Sequence, residues 1–433
     1  MAHVRIAVLG AGSYVFGPSV LKDAILSQKL DGVELALMDV DGALVELLAA
    51  VGRRMAGELG VNAAVSAWTD RAAALDGADF VICSAAREIW RRFSIDCEII
   101  ARDYPQHLIT EFGGVAGISY SLRQIALIQE IAADMRRLCP RATLLNVANP
   151  LPRVCQAAHE ASIDTVGFCS VALSGYGRAW KLLHGEDLRY PFEPARSRLS
   201  ATIAGLNHFT WLIRLRDAAG GQDLYPELRR KAAENPAALE PLTSDLFRRT
   251  GWMPTSGDNH IRDFIAPAGS VPHRTEPSHG NPEQRRQRLE LLRAIAEKRA
   301  PWQPLLDRES WEKPVDFVAA VAFGRTTRFD GLNLLNRGQI PQLPDDVFVE
   351  TPAEVSSMAV SPQRVDLPAE VLPMCQQTAA VTSHIVRAAT TRRLRHVYEA
   401  VELDPTIIDK KAGRLAVFHC IQAHQDVLPQ YTS

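Results

Sequence analysis

Through about the first 170 residues, short continuous apolar runs alternate with stretches whose apolar positions recur at helical spacing. Val4-Arg5-Ile6-Ala7-Val8-Leu9 is the first run, and Val33-Glu34-Leu35-Ala36-Leu37-Met38 is the second, reached after a segment of helix length. Runs of this kind predict strands buried on both faces. The pattern continues as a helix over 44–59, a strand over 63–68, a further helix, and a strand over 78–84. A helix over 122–138, a strand over 142–147 leading into Asn149-Pro150, and a strand over 165–169 complete it. Regular β-α alternation predicts an α/β fold with a doubly wound parallel sheet. From about residue 198 the pattern changes to longer helical periodicity, notably over 367–387 and 392–403, with Pro-rich segments read as loops over 266–282 and 341–352. We therefore expect one domain over 1–197 and a helix-rich α+β domain over 198–433.

The connection between the first two strands carries chemistry. Gly10-Ala11-Gly12-Ser13 follows the first strand directly, and Asp39 closes the second. Strand, glycine turn, helix and terminal carboxylate together form a Rossmann-like dinucleotide-binding unit. Its glycines admit a pyrophosphate to the helix N-terminus, and Asp39 is placed to accept from a ribose 2′-hydroxyl, which favours NAD over NADP. The third glycine of the usual fingerprint is replaced by Val15, which implies looser packing of helix on strand. Ligands of such sheets lie beyond the carboxyl ends of the strands, so Ser84, Asn146, Asn149 and Pro150 are expected to line the nucleotide crevice.

Composition narrows the partners. The 48 basic and 50 acidic residues nearly cancel, leaving a formal charge of −2, so no global field favours nucleic acid or an anionic membrane. No apolar run approaches the roughly 20 residues that span a bilayer. Met1-Ala2-His3-Val4-Arg5 leads straight into the first strand, from which a cytoplasmic protein is expected. The seven cysteines are odd in number and contain no C-x-x-C pair, as suits reduced thiols. A small molecule is the expected partner.

Beyond the nucleotide site, Cys169 sits at a predicted strand end, and Gly205-Leu206-Asn207-His208-Phe209-Thr210-Trp211 sets a histidine between apolar neighbours. Thiolate and imidazole suit a borderline transition metal, yet two ligands about forty residues apart match no closed site. On these residues alone, a buried cysteine and a core histidine are the competing reading. In Gly257-Asp258-Asn259-His260, Asp258 is either a general base or the cap of a short helix starting there. Glu111-Phe112-Gly113-Gly114-Val115-Ala116-Gly117 reads as a flexible loop whose backbone can approach nucleotide or sugar. Arg87, Arg91 and Arg92 around Trp90 offer cations to an anionic group or form a solvated face.

Taken together, the chain resembles the NAD- and metal-dependent glycoside hydrolases of family 4. The resemblance rests on Gly10-x-Gly12-Ser13-x-x-Phe16-x-Pro18, Met38-Asp39-Val40-Asp41, Leu122-Arg123, Asn149-Pro150 and Gly167-Phe168-Cys169. It continues through Gly205-x-Asn207-His208-x-x-Trp211, Gly257-Asp258-x-His260, Asn336-Arg337-Gly338-x-Ile340 with Leu343-Pro344, Val349-Glu350 and Asp404-Pro405. It implies a lactate/malate dehydrogenase-like fold, tightly bound NAD contacted also by Phe16, and a homodimer or homotetramer. It further implies a divalent metal, typically Mn²⁺, held by Cys169 and His208, with Asn149, Asn207 and Arg87 toward the sugar and Asp258 as the base at C2. The implied reaction oxidises the sugar at C3, removes the C2 proton, eliminates the aglycone, adds water and returns the hydride. These enzymes are exceptions to the two-carboxylate mechanism.

One position departs from that pattern. After the metal cysteine the family carries His, Asp or Asn, which helps the aglycone leave, whereas this chain has Ser170. A serine hydroxyl is a poor acid, so Glu111 and His260 become the expected donors. The substrate is expected to be an unphosphorylated α-hexoside or a hexuronide. A hydroxy-acid or sugar dehydrogenase that keeps its hydride on the cofactor is a competing reading, and an inert NAD- and sugar-binding sensor, motivated by Ser170, is another.

Overall fold

The structure is a computed structural model that describes residues 3–13, 16–188, 198–266, 282–306 and 312–432. Its first six strands are β1 (Val4–Leu9), β2 (Val33–Met38), β3 (Ala63–Trp68), β4 (Phe80–Cys83), β5 (Thr143–Asn146) and β6 (Thr165–Gly167). All are parallel, in the spatial order β3-β2-β1-β4-β5-β6. The order reverses between β1 and β4, which opens a crevice at the carboxyl ends of those two strands. The doubly wound sheet expected from the hydrophobic pattern is present.

The remaining strands extend the same sheet. They are β7 (Leu199–Leu206), β8 (Phe209–Asp217), β9 (Thr327–Leu335), β10 (Phe348–Val355) and β11 (Val360–Pro362). β6 meets β9 antiparallel where Gly167 faces Asn333, and the sheet runs on as β9-β10-β7-β8, with β11 on the free length of β10. Proline obscures β10 in the sequence, since that strand begins inside the segment read as a loop over 341–352. The preceding loop is compact because the Asn336 side chain donates to the carbonyls of Ile340, Leu343 and Pro344 and accepts from the Ile340 N–H.

Side-chain alternation along the strands sorts them into two layers. Ala7, Leu9, Val81, Cys83 and Leu144 point to one core, completed by helix Gly114–Leu138 and by Ile385, Val401 and Val417 from the C-terminal helices. Ile6, Val8, Leu35, Leu37, Ile82 and Leu145 point to the other, against helix Gly42–Leu59 and residues Phe317 to Ala320. Both cores thus draw on residues before and after position 198, so the change of pattern there marks a change from parallel to antiparallel architecture within one sheet.

Two local features hold the site-bearing loops. The glycine-rich segment 111–117, expected to be a flexible loop, is instead a tight turn and the first residues of helix Gly114–Leu138. The Asp404 carboxylate caps that helix from far along the chain, accepting from the Gly114 N–H at 2.8 Å. Such a cap contributes about 1 kcal/mol. At the other end of the fold, helix Phe16–Leu21 lies so close to the β1 turn that a Cβ on Gly17 would stand 2.0 Å from the Ala11 carbonyl oxygen. Gly17, rather than the fingerprint position, permits the close approach. Val15 itself lies outside the described residues, as does most of the 266–282 segment. No helix among the described residues is long and apolar enough to cross a membrane.

Candidate active site

The nucleotide loop is shaped for close backbone approach. Gly10 has φ +81°, and a Cβ there would lie 2.9 Å from the backbone of Ala85, so only glycine fits where the turns after β1 and β4 converge. Asp39 accepts from the N–H of Gly12 at 2.8 Å and of Asp41 at 3.1 Å, which sets its carboxylate beside the glycine turn. Ser13 accepts from the Phe16 N–H at the start of the first helix. Ser84 donates to the carbonyls of Leu9 and Gly10, tying the ends of β1 and β4 together. These residues fit a dinucleotide: a glycine cradle, a helix start and a carboxylate at the end of β2.

Asn146 does a different job from the one expected. It is fully buried, and its amide donates to the Ala148 carbonyl and accepts from the Ala148 N–H. Its side chain therefore folds the turn after β5 and is not directed at cofactor. That turn delivers Asn149, whose Nδ2 donates to Glu111 Oε1 at 3.2 Å. Glu111 and Asn149 are thus brought together at the end of β5.

Cys169 follows β6 and lies within hydrogen-bonding reach of the Asn207 side chain. Asn207 and His208 form the two-residue tip of the β7–β8 hairpin, whose flanking residues Leu206 and Phe209 are paired and buried. Cys169 therefore lies beside the hairpin tip that carries Asn207 and His208, because that tip reaches the carboxyl end of the parallel sheet. Asn207 is held in turn by Glu350 of β10, its Nδ2 donating to Oε2 at 3.1 Å. Glu350 is 0 % exposed, and burial pushes its carboxyl up to about 7, against hydrogen bonds from Asn207 and Asn333 that lower it.

The His208 ring is 2 % exposed, and neither ring nitrogen has a hydrogen-bond partner. Two orphaned imidazole nitrogens in a buried site are costly unless something binds them. Phe112 packs on this ring with centroids 4.4 Å apart, and the His260 ring stands 4.6 Å away on another side. Burial first, and the neighbouring His260 second, hold His208 well below the usual histidine range, so it is a neutral ligand. The Cys169 thiol is pushed far up by burial and then by the carboxylates of Glu350 and Glu312. A thiol in that setting ionises when a cation binds it. Cys169 and His208 therefore fit a divalent metal.

Asp258 is corrected by the structure. Its carboxylate accepts from the Leu242 N–H at 2.9 Å and from the Thr243 N–H and hydroxyl at 2.8 Å each, capping helix Pro241–Thr250. Both oxygens accept from that helix start, so the expected local cap is replaced by a tertiary one. Arg87 is likewise taken, by Glu130 at 2.8 Å, and Arg91 and Arg92 pair with Glu88, Arg92 also with Asp426. Around Trp90, then, Arg87 and Arg91 are ion-paired and partly exposed, whereas Arg92 is buried.

Three acidic groups lie at the site, of which Glu350 and Glu312 have no role readable from the sequence and Asp263 belongs to the acid-rich turn around Asp258 in which a carboxylate is a candidate base. Glu350 is one. Glu312 is another: it accepts from the Ser170 hydroxyl at 3.0 Å, although 142 residues separate them. The third is Asp263, buried, with Oδ2 accepting from the Phe112 N–H at 2.9 Å and Oδ1 without a partner. Asp263 fixes the turn that presses Phe112 onto His208. Burial pushes its carboxyl up to about 8, helped by Glu111 and opposed by the Phe112 N–H and by Arg262 and Arg153.

A raised folded value means that the native state holds the Asp263 proton where the unfolded chain has lost it. Stability is then highest below the unfolded value near 4 and falls as pH rises through about 8. Asp263→Asn should flatten this slope by an amount on the order of a few kcal/mol between pH 4.5 and 8.5. Urea unfolding at several pH values measures it, and parallel slopes for the two proteins would refute the assignment.

With this geometry in view, comparison with known proteins decides the family. The model of the family 4 glycosyl hydrolases matches residues 5–180, and that of their C-terminal domain matches residues 203–407. The chain belongs to family 4 of the glycosyl hydrolases. An α-galactosidase of Bacillus subtilis (strain 168) is 26 % identical over 99 % of this chain and 99 % of its own. An α-glucosidase of Erwinia rhapontici is 27 % identical, covering 84 % of this chain and 85 % of its own. Among solved structures, a 6-phospho-α-glucosidase from gut microorganisms in complex with NAD and Mn²⁺ superposes with a TM-score of 0.78 at 20 % identity, over the whole of both chains. This family 4 chain is accordingly an NAD- and metal-dependent glycoside hydrolase.

Proposed function

We propose that this family 4 enzyme cleaves an unphosphorylated α-hexoside, using NAD and a divalent metal, by transient oxidation of the sugar. The observation that carries the reading is His208, buried with both ring nitrogens unpartnered beside Cys169 at the end of the parallel sheet. NAD would lie along Gly10, Gly12 and Asp39 and supply a hydride acceptor that is regenerated in each cycle. The metal would be held by Cys169 and His208 and polarise the oxygens of the sugar ring that bear the chemistry. Asn149, paired with Glu111, orients the sugar at the strand end, and Asn207, fixed by Glu350, does so from the hairpin tip. Phe112 and the buried layer behind His208 exclude water from the imidazole.

The Asp258 carboxylate is held by the start of helix Pro241–Thr250, and the C2 proton is assigned here to His260, whose ring stands against that of His208. The aglycone side is served by Ser170 and Glu312. Glu312, joined to Ser170 by a hydrogen bond, is the group we assign to supply the proton that the departing oxygen takes up and to recover one from the water that adds. Support for an unphosphorylated substrate comes from the Gly257-Asp258-Asn259-His260 turn, from relatives named α-galactosidase and α-glucosidase, and from Arg87, Arg91 and Arg92 being ion-paired.

The deciding experiment is release of p-nitrophenol from α- and β-glycosides, uronides and 6-phosphates, with NAD⁺, Mn²⁺ and reductant each present or omitted. Hydrolysis of an α-hexoside that needs NAD⁺ and metal, with no accumulation of NADH, is expected. Stoichiometric NADH would instead identify a dehydrogenase, and binding without turnover a sensor. A second expectation separates the acids: Glu312→Gln should slow alkyl glycosides by about 10²-fold and leave p-nitrophenyl glycosides nearly unchanged. If Glu111→Gln shows that selective loss and Glu312→Gln does not, the proton comes from Glu111.

A further inference from the structure

A second group of metal-ligating side chains lies away from the active site. Helix Leu372–Thr391 and helix Leu394–Leu403 form a hairpin whose two-residue connection places Arg392 at φ +56°. His384 comes from the first helix, and His396 and Glu399, about one turn apart, come from the second. Their ligand atoms all lie within 4.8 Å of one another, and among the described residues this is the one place where three or more His, Cys, Asp or Glu side chains converge in this way.

The contacts are those of an incomplete site. Glu399 Oε2 is hydrogen-bonded to His396 Nδ1 at 2.6 Å. It is also 3.0 Å from His384 Nδ1, but that nitrogen is buried and makes no hydrogen bond. Two imidazoles and one carboxylate are a ligand set for zinc-class ions, with an open fourth position for water. With metal–ligand bonds of about 2.0–2.2 Å, ligands of a tetrahedral ion stand about 3.4 Å apart, so the two Glu399–histidine separations need to open by less than about 1 Å. Glu399 is 47 % exposed and gives a cation a way in. The Arg395 guanidinium donates to His396 Nε2 at 3.3 Å. A metal on Nδ1 leaves the imidazole proton on Nε2, so Arg395, which is exposed, must swing aside.

We propose that His384, His396 and Glu399 bind one divalent transition-metal ion of the zinc class, distinct from the catalytic metal, which staples the two C-terminal helices together. The site is chemically separable from the active site because it contains no thiolate. The test is titration of the metal-stripped, full-length protein with Co²⁺ alone and with Zn²⁺ alone, following bound stoichiometry, visible absorption and Tm. Co²⁺ on Cys169 gives a thiolate charge-transfer band, whereas Co²⁺ on the helical hairpin gives ligand-field bands only.

The wild-type chain should take up two ions, and Zn²⁺ should raise its Tm. His384→Gln and Glu399→Gln should each take up one, keep the thiolate band, and lose the Tm gain that belongs to the second ion. One ion per wild-type chain that carries the thiolate band, or ion uptake by both variants equal to that of the wild type, would overturn the proposal. The thiolate band reports the active-site pair alone, so failure of the catalytic reading and failure of this site are read separately.

Discussion

Replacing His208 by Gln, or Cys169 by Ala, should abolish metal binding at the active site and lower turnover by at least about 10³-fold, with NAD⁺ affinity nearly unchanged. The separation of the two effects follows from the structure. The glycine turn and Asp39 sit at the ends of β1 and β2, whereas Cys169 and His208 are brought together by the end of β6 and the tip of the β7–β8 hairpin. Loss of the imidazole removes one of the two metal-holding groups and leaves the thiol facing Glu350 and Glu312, both of which disfavour its ionised form. Metal content, NAD⁺ titration and steady-state rates on the same preparations measure the prediction. A variant that keeps its metal and turns over within about tenfold of the wild type would show that these side chains are core packing after all.

The parallel half of the fold was legible because its central strands are buried on both faces and read as short, largely apolar runs. The bounds of β2 and β3 fall where the pattern puts them, and the helix over 44–59 differs only by two residues at its start. The antiparallel half was not legible. In β10 the sequence Phe348-Val349-Glu350-Thr351-Pro352 interrupts its apolar run with a carboxylate and a proline, the usual signs of a loop. The carboxylate is buried because Asn207 reaches it from another strand, a contact that no local spacing can announce.

The same limit explains the site residues. Asp258 was correctly suspected of capping a helix, but the helix is Pro241–Thr250, which precedes it in the chain, so a base and a cap could not be told apart from its own neighbours. Asn146 sits at the strand end where ligand contacts are expected, and only the hydrogen bonds to Ala148 show that its amide is already used. Glu312 lies 142 residues from the Ser170 hydroxyl that it meets. Cys169 and His208 became a pair in the sequence only through family resemblance. The structure supplies an independent reason in the two orphaned nitrogens of a buried ring.

Gly17→Val should weaken NAD⁺ binding by about 10²-fold or more and lower Tm together with it. A Cβ at Gly17 meets the Ala11 carbonyl oxygen at 2.0 Å and a Leu48 methyl at 2.6 Å, and the first of these is backbone that no rotamer change relieves. The helix must therefore move away from the glycine turn, at an overpacking cost of about 1–3 kcal/mol or more. Its displaced N-terminus then no longer presents its N–H groups where Gly10 and Gly12 admit the pyrophosphate, and a shift of about 1 Å at such a site costs about 10² in binding or rate. Gly57 serves as the control, since a Cβ there meets nothing within 4 Å and the position is interior to helix Gly42–Leu59. Gly57→Ala should leave NAD⁺ affinity unchanged and raise stability slightly. If Gly17→Val binds NAD⁺ as the wild type does, the close packing of this helix on β1 is not what forms the cofactor cradle.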